Sequence, residues 1–423
     1  MDIPAIIVLV IFVATLIVIM SEKIDETATA LFGMSLAGVV LYLGLGISFD
    51  TYITLIDWAS IMFIAAMLII VAVAASSGMF QYISLLLMRR TKGNPRKVFV
   101  TFLLFVLGIS LFLDPLPTML VMGTFTVEVC SAINMDFRPL LISEVVVANL
   151  ASIPTIVGSV PNLVIALLTG IDAGLLFIVM MPLVLILFLV TVPLLLWYFR
   201  DAWPEDKSYD TEFLFLIPPG SMIKSRRDFY LSIVAMTFLV IGFMMGVQLT
   251  AVALLVASGM LVFSQRRAKE LIHQMSWETL FFLIGLFGLI VALVETNIVA
   301  ELGAGLIAIT GGNIVIAIIF MIWIPGFVLS PIDNIPVAAV LSELALELGS
   351  LNPVVPMALM AGTNIGGYAI PFGDAPNMIA MSLAEKGQKK ITFMDFTKVV
   401  MPLALLHLII TTVYCISMTL LFI

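Results

Sequence analysis

Three aspartates sit where an apolar chain is interrupted by proline or glycine: Asp114 in Asp114-Pro115-Leu116-Pro117, Asp333 in Asp333-Asn334-Ile335-Pro336, and Asp374 in Gly373-Asp374-Ala375-Pro376-Asn377. No Lys or Arg lies near them in the sequence. A carboxylate at membrane depth costs about 2.5–3.5 kcal/mol on insertion scales, so it is rarely idle. Carboxylate, amide and freed carbonyl oxygens together offer hard ligands for Na⁺, or a group that exchanges H⁺. The alternative chemistry is plain helix capping, in which each Asp accepts from the first-turn N–H groups of a half-helix. Four asparagines, Asn149, Asn162, Asn364 and Asn377, flank two of the interruptions, and an amide can both donate and accept. Glu144 lies shortly before the first of these on an otherwise apolar segment, either as a proton carrier or paired with a hydroxyl or amide of a neighbouring helix.

Those residues recur in order. Asn149 to Asn162 reads NLASIPTIVGSVPN and Asn364 to Asn377 reads NIGGYAIPFGDAPN, an offset of 215 residues from Asn149 to Asn364. Upstream, Asp114 corresponds to Asp333 and Trp58 to Trp277, both at an offset of 219. One offset kept over two separated landmarks and then slipping by a few residues is the mark of a duplicated unit with a small loop change. Polar, Pro- and Gly-broken segments in corresponding positions of two apolar halves point to a transporter's binding site.

The elements that must position these residues are membrane spans. Of 423 residues, 62% are apolar and 11% charged, against roughly half and a quarter in soluble proteins. Ile3 to Met20, Ala28 to Ile47, Ala173 to Trp197 and Leu231 to Val247 are each long enough to span a bilayer. The first has no basic segment before it and no small-residue cleavage site after it, and reads as a permanent span. The two cysteines and two histidines do not cluster at metal-ligand spacing, and no phosphate-binding Gly-rich loop appears, which argues against an ATP-driven pump. No cofactor, no nucleic-acid partner and no enzymatic activity are expected; the partners are the lipid bilayer and a small ion or small-acid substrate.

With the N-terminus outside, alternating spans bring all 19 Lys and Arg residues to cytoplasmic segments or span ends. The span after Trp58 then runs inward and the one after Trp277 outward. The expected fold is therefore an all-α polytopic protein of the cell membrane built from two inverted repeats, 1–199 and 228–423, joined by a cytoplasmic linker, 200–227. Each repeat carries a re-entrant helical hairpin, with tips at 114–118 and 333–336, and a broken transmembrane helix, near 149–162 and 364–377. The unwound parts are read as Ser152 to Pro161 and Gly366 to Pro376, with Gly158, Gly366, Gly367 and Gly373 supplying positive φ. Unwound backbone at that depth is tolerated only when buried in protein or lining a wet cavity.

Ala361-Gly362-Thr363-Asn364-Ile365-Gly366-Gly367, followed by Phe372-Gly373-Asp374-Ala375-Pro376-Asn377, resembles the NIGG…GDPPN signature of the ion transporter superfamily. Within it the nearest groups are the arsenite permease, P-protein and NhaD-type sodium/proton antiporter families, with citrate transporter-like proteins and divalent-anion sodium symporters as cousins. Ser330-Pro331-Ile332-Asp333-Asn334-Ile335-Pro336 resembles the hairpin tip of the antiporter and P-protein groups. The resemblance implies a homodimer, with substrate and cation held between hairpin tips and broken spans. By position it nominates Asp114, Pro117, Thr118, Asn149, Gly158, Ser159 and Asn162, then Asp333, Asn334, Thr363, Asn364, Gly373, Asp374 and Asn377. Na⁺ would be held at Asp333, Asn334, Asp374 and Asn377. The chain departs from the pattern at Leu150-Ala151-Ser152, where the family tends to have I-G-G, at Ser159 opposite Asp374, and at Asp114-Pro115 in place of Asp-Asn.

The expected function is ion-coupled secondary transport by alternating access, on a Na⁺ or H⁺ gradient. Sodium/proton exchange, export of an arsenite-like oxyacid and uptake of a carboxylate such as citrate all fit. Two rivals come from other classes: an intramembrane aspartyl protease using Asp114 and Asp333, and a passive channel.

Overall fold

In the computed structural model every regular element among the described residues is helical. The structure describes all residues except 1, 21–23, 92–93, 204–217, 245–247, 266–267, 274, 276, 299–300, 302–312, 329–333, 350–351, 421 and 423. The expected cation residue Asp333, half of the linker (204–217), and Lys23, Lys92, Lys207, Arg266 and Arg267 of the charge pattern therefore lie outside the described residues.

The first half opens with α1 (Ile3–Met20), α2 (Glu26–Leu45), a short α3 (Phe49–Thr54) and α4 (Trp58–Ser77). At Gly78 the chain bends by 54° into α5 (Met79–Arg90). Gly78 has φ +82°, and a Cβ there would run into the Met222 carbonyl, so only glycine suits both the turn and the contact. A pair of helices follows, α6 (Pro95–Ser110) and α7 (Pro115–Ala132), joined at the Asp114 tip. Then come α8 (Arg138–Ser152), α9 (Val160–Thr169) and the long closing helix α10 (Ala173–Tyr198).

The second half repeats that order. α11 (Arg226–Met244), α12 (Leu249–Phe263), the short α13 (Ala268–His273) and α14 (Trp277–Glu295) precede α15 (Ile314–Trp323). α15 widens into a π-helical turn at Ile324–Val328, where Pro325 lacks the N–H that an α-turn needs. α16 (Asn334–Gly349), α17 (Val354–Ala369), α18 (Ala375–Lys386) and α19 (Phe393–Thr419) complete the chain. By length and composition Thr27–Leu45, Ala173–Tyr198 and Phe393–Thr419 can each cross a membrane, and the bent pair α4–α5 forms a fourth candidate. The molecule is an all-α, multi-pass membrane protein.

Packing crosses between the halves in matched pairs. α2 lies against α14 as α12 lies against α4, and α9 lies against α16 as α18 lies against α7. Each second piece of a broken helix is thus seated on an arm of the other half's helical pair. With lipid as apolar as the side chains, such contacts depend on close backbone approach and hydrogen bonds more than on hydrophobicity. α17 shows the first device. A Cβ on Gly362 would stand 2.7 Å from the Met321 carbonyl oxygen, and one on Gly366 would meet the Pro325 carbonyl and lie 3.0 Å from the Gly326 Cα.

Two expectations about glycine are corrected. The second helix does not open at Gly366; α17 runs through Gly366 and Gly367 to Ala369, and the break spans Ile370 to Asp374. None of Gly158, Gly366, Gly367 or Gly373 has positive φ, which among the described glycines belongs to Gly46, Gly78 and Gly170. Gly362 and Gly366 are small so that α15 and its π-turn can reach the α17 backbone.

The turns at Asp136 and Lys389 join the halves at the ends of the broken helices. Asp136 pairs with Arg138 at 2.7 Å and with Lys389 at 4.0 Å. Burial pushes the Asp136 carboxyl up, but the Arg138 hydrogen bonds and charge, with the Lys389 charge, outweigh it and hold the group below the usual carboxylate range.

Two outcomes follow for stability. Gly366→Ala should lower it by about 1–3 kcal/mol, because backbone cannot rotate aside, whereas Gly108→Ala, with open space around its Cβ, should not; thermal unfolding in detergent reads both. Since a depressed carboxylate stabilises above its ordinary pKa and loses that contribution as pH falls through its folded value, Asp136→Asn should cost about 0.5–1 kcal/mol at pH 7. That deficit against the parent should close as pH falls below the ordinary carboxylate range and through the lowered folded value.

Candidate functional site

A helix broken inside a bilayer leaves carbonyls without partners, and lipid supplies none. In the first break Asn162, on the first turn of α9, donates Nδ2 to the carbonyls of Ser152 at 2.7 Å and Thr155 at 3.0 Å. In the second, Asn377 on the first turn of α18 donates Nδ2 to the carbonyls of Gly367 and Ile370, both at 2.8 Å. Acceptors and donors correspond at the offset of 215 residues seen in the sequence. Both asparagines are fully buried.

The asparagines on the other side of each break also match in part. Asn149 donates to the Val145 carbonyl at 3.1 Å and Asn364 to the Met360 carbonyl at 2.7 Å, each one turn back in its own helix. Asn364 goes further. Its Nδ2 reaches Asn162 Oδ1 at 2.7 Å, and its Oδ1 accepts from the Ser152 hydroxyl at 2.8 Å. Ser152 has one proton to share between Asn364 and the Asn149 carbonyl, 2.7 Å away.

Asp114 combines two of the expected roles. It is the N-cap of α7, accepting from Leu116 N–H at 2.9 Å, and its other oxygen accepts from Val160 N–H at 3.2 Å, so the tip is fastened to the start of α9. Ser159 and Asp374 share an extended backbone conformation as N-caps. Ser159 accepts from Asn162 N–H at 3.3 Å, whereas the Asp374 carboxylate makes no capping bond to α18. It lies instead beside α17: a Cβ placed on Gly367 would be 3.2 Å from Asp374 Oδ2 and 3.0 Å from Asn334 Nδ2.

Elements of both halves meet at one cavity of about 150 Å³, lined by Asp114, Pro117, Ser159, Asn334 and Asp374 together with apolar side chains of α4 and, in the turn between α6 and α7, Phe112 and Leu113. The first turns of α9 and α18 border it through Val160, Pro161 and Ala375. No Lys or Arg is among its described lining residues. Two carboxylates, Asp114 and Asp374, in a largely apolar recess make a field that favours cations.

The other nominated residues stand behind the wall. Asn149, Asn162, Asn364 and Asn377 are buried at the breaks, with Gly158 and Gly373 in the breaks themselves. Thr118 is buried, its hydroxyl accepting from Ser110 at 3.3 Å across the α6–α7 pair, and Thr363 bonds back to the Leu359 and Met360 carbonyls of its own helix at 3.0 Å. Glu144 lies between α7 and α8, away from the cavity, where Oε1 accepts from the Thr126 hydroxyl at 2.6 Å while Oε2 has no partner. The hydroxyl-pairing reading of Glu144 describes this contact.

Two features escaped the sequence reading. Ser152 appeared as the start of the first unwound stretch and as a departure from a motif, with no bonding role, although the contrast between Ser152 and Gly367 at matched positions was visible. His407 appeared as an isolated histidine, yet its Nδ1 lies 2.6 Å from the Tyr368 hydroxyl and its Nε2 lies 3.0 Å from the Thr191 hydroxyl.

A family model described as "Citrate transporter" matches residues 16–353. A 46 kDa membrane protein of Mycobacterium leprae is 28% identical over 93% of this chain and 94% of its own length. The P protein of Homo sapiens is 25% identical over 91% of this chain and 56% of its own. Among solved structures, the Alcanivorax borkumensis YdaH transporter superposes with a TM-score of 0.64 at 14% identity, covering 97% of each chain, which shows a shared fold. The resemblance to the P protein is thus met by extended similarity, and the matching family is the one treated above as a cousin. The chain belongs to the citrate transporter family and is a membrane transporter.

Proposed function

We propose that the chain is an ion-coupled secondary transporter, moving a small ion or small acid by alternating access on a Na⁺ or H⁺ gradient. The observation that carries this reading is a cavity with carboxylates from both halves, bordered by the starts of two half-helices. In this reading the halves are inverted repeats, the α6–α7 and α15–α16 pairs are re-entrant hairpins, and the Na⁺ residues are Asp333, Asn334, Asp374 and Asn377. The protein forms a homodimer in the cell membrane with its N-terminus outside. The family description favours a carboxylate such as citrate as substrate. A bare polyanion would face Asp114 and Asp374 with no guanidinium or ammonium among the described wall residues, so it would travel with a cation that offsets its charge.

A second reading, sodium/proton antiport, draws on the same two carboxylates, because a carboxylate lining a cavity can exchange Na⁺ for H⁺ without any organic substrate. The intramembrane protease reading finds no support: Asp114 already accepts two backbone N–H bonds in joining α7 to α9.

Purified protein in proteoliposomes tests these together. Inward Na⁺ or pH gradients are imposed while radiolabelled citrate, arsenite or ²²Na⁺ is followed in separate arms. Gradient-driven accumulation of one of them above equilibrium is expected; equilibration alone would identify a passive pore. Asp374→Asn and Asp333→Asn should each reduce the coupled flux at least tenfold while the protein still elutes as a single folded species. Parental rates in both variants would remove the carboxylates from the mechanism.

A further inference from the structure

The closing helices α10 and α19, each able to cross a membrane, run antiparallel and are bonded along only part of their length. The Tyr414 hydroxyl donates to the Val179 carbonyl, and His407 Nε2 lies 3.0 Å from the Thr191 hydroxyl. Beyond Thr191, toward the end of α10 and the start of α19, no side-chain hydrogen bond joins the two helices among the described residues. There they leave a trough of about 260 Å³, walled by Leu194 and Trp197 on one side and by Pro402, Leu403 and Leu406 on the other. Pro402 has no N–H to give the Lys398 carbonyl, so one rung of α19 is missing beside the trough.

A second recess, of about 230 Å³, continues from the first. Tyr198, Lys398 and Val399 line both, and Asp136, Arg138 and Asp395 line the second alone. The charges around it do not cancel. Asp136 serves two cations, Arg138 at 2.7 Å and Lys389 at 4.0 Å, while Asp395 accepts from the Thr392 N–H at 3.1 Å and hydroxyl at 2.7 Å. Arg138, Lys389 and Lys398 thus stand against two carboxylates, and Lys398 enters no ion pair among the described residues. Trp197, 66% exposed, and Tyr198, 48% exposed, border the junction with the amphipathic rings that mark the boundary between hydrocarbon and headgroups.

We propose that this groove binds one anionic phospholipid of the phosphatidylglycerol type, with its phosphate at Lys398 beside Tyr198 and one acyl chain in the trough between α10 and α19. Hydrocarbon suits the trough, and a single negative charge offsets the surplus positive one at its mouth. A second copy of the chain docked here about a two-fold axis would bring the same surplus of positive charge to the contact. The site is separate from the cavity at the broken helices and does not rest on the transport reading.

Native mass spectrometry of the detergent-purified full chain, with phosphatidylglycerol or phosphatidylcholine added, counts the lipid held. One phosphatidylglycerol per chain is expected to survive activation that strips phosphatidylcholine. Lys398→Gln should weaken phosphatidylglycerol binding at least tenfold, and because Lys398 is exposed the variant should melt as the parent does in lipid-free detergent. Leu406→Trp, which fills the trough without touching a charge, should weaken it as much. Lys390→Gln, at an exposed lysine 3.8 Å from Glu385, should leave it unchanged. Equal retention of the two lipids, parental affinity in Lys398→Gln or Leu406→Trp, or an equal loss in Lys390→Gln would overturn the proposal. So would thermal stabilisation by inorganic phosphate equal to that by the lipid, which would make this a free-anion site, or a disulfide between two copies carrying Leu194→Cys, which would put a second chain in the trough.

Discussion

Peptide carbonyls cannot be left bare inside a bilayer, and everything at the centre of this protein follows from that constraint. The gap between α8 and α9 and the gap between α17 and α18 open the backbone where carboxylates and amides can meet a solute. Each gap holds its shape because one asparagine, Asn162 or Asn377, spends its amide protons on carbonyls that the missing helical turn would have bound. Proline at the first turn of each following helix fits the same economy, since its absent N–H falls where a helix start has no acceptor for it. Once the amide protons are spent, the amide oxygens are what remains to distinguish one break from the other.

That remainder explains how similar backbones serve different ends. In the first break the oxygens face donors from the opposite half, so Asn364 acts as a strut and the Ser152 hydroxyl closes the arrangement. Asp114, used twice as an acceptor, fastens the tip of the first helical pair to α9 and is half structural by that commitment. In the second break Gly367 offers no hydroxyl, the amide oxygens of Asn149 and Asn377 accept nothing, and Asp374 stands where the first break has Ser159. Two single-residue differences between the copies therefore change the chemistry without changing the path of the chain.

The path itself was legible in the sequence. Breaks, helical pairs and closing helices stand close to where Pro-Asn endings, Asp-Pro tips and apolar runs predict them, because proline and spacing act locally and leave a local trace. What was misread depends on neighbours far along the chain. Gly366 looks like a point of unwinding, yet it serves close packing, since the carbonyl it accommodates belongs to Pro325 on another helix. The importance of Ser152 depends on Asn364, 212 residues away. His407 has no chemistry in its own segment and acquires it from Tyr368 and from Thr191, 216 residues upstream. A pattern search reports residue types and intervals; it does not report which lone pair faces which proton.

The histidine also bears on how the broken helix is held. Tyr368, one residue before the end of α17, donates to His407 Nδ1. The Thr191 hydroxyl gives its proton to the Leu187 carbonyl at 2.6 Å, so it can only accept from the other ring nitrogen, and the direction of every bond in the chain is fixed. Tyr368, His407 and Thr191 lie on α17, α19 and α10, so the far side of the second break is bonded through one closing helix to the other. All three side chains are fully buried. Separating any pair would strand a donor or an acceptor away from water, at about 1–3 kcal/mol each time. α17 and the two closing helices therefore hold together as one unit.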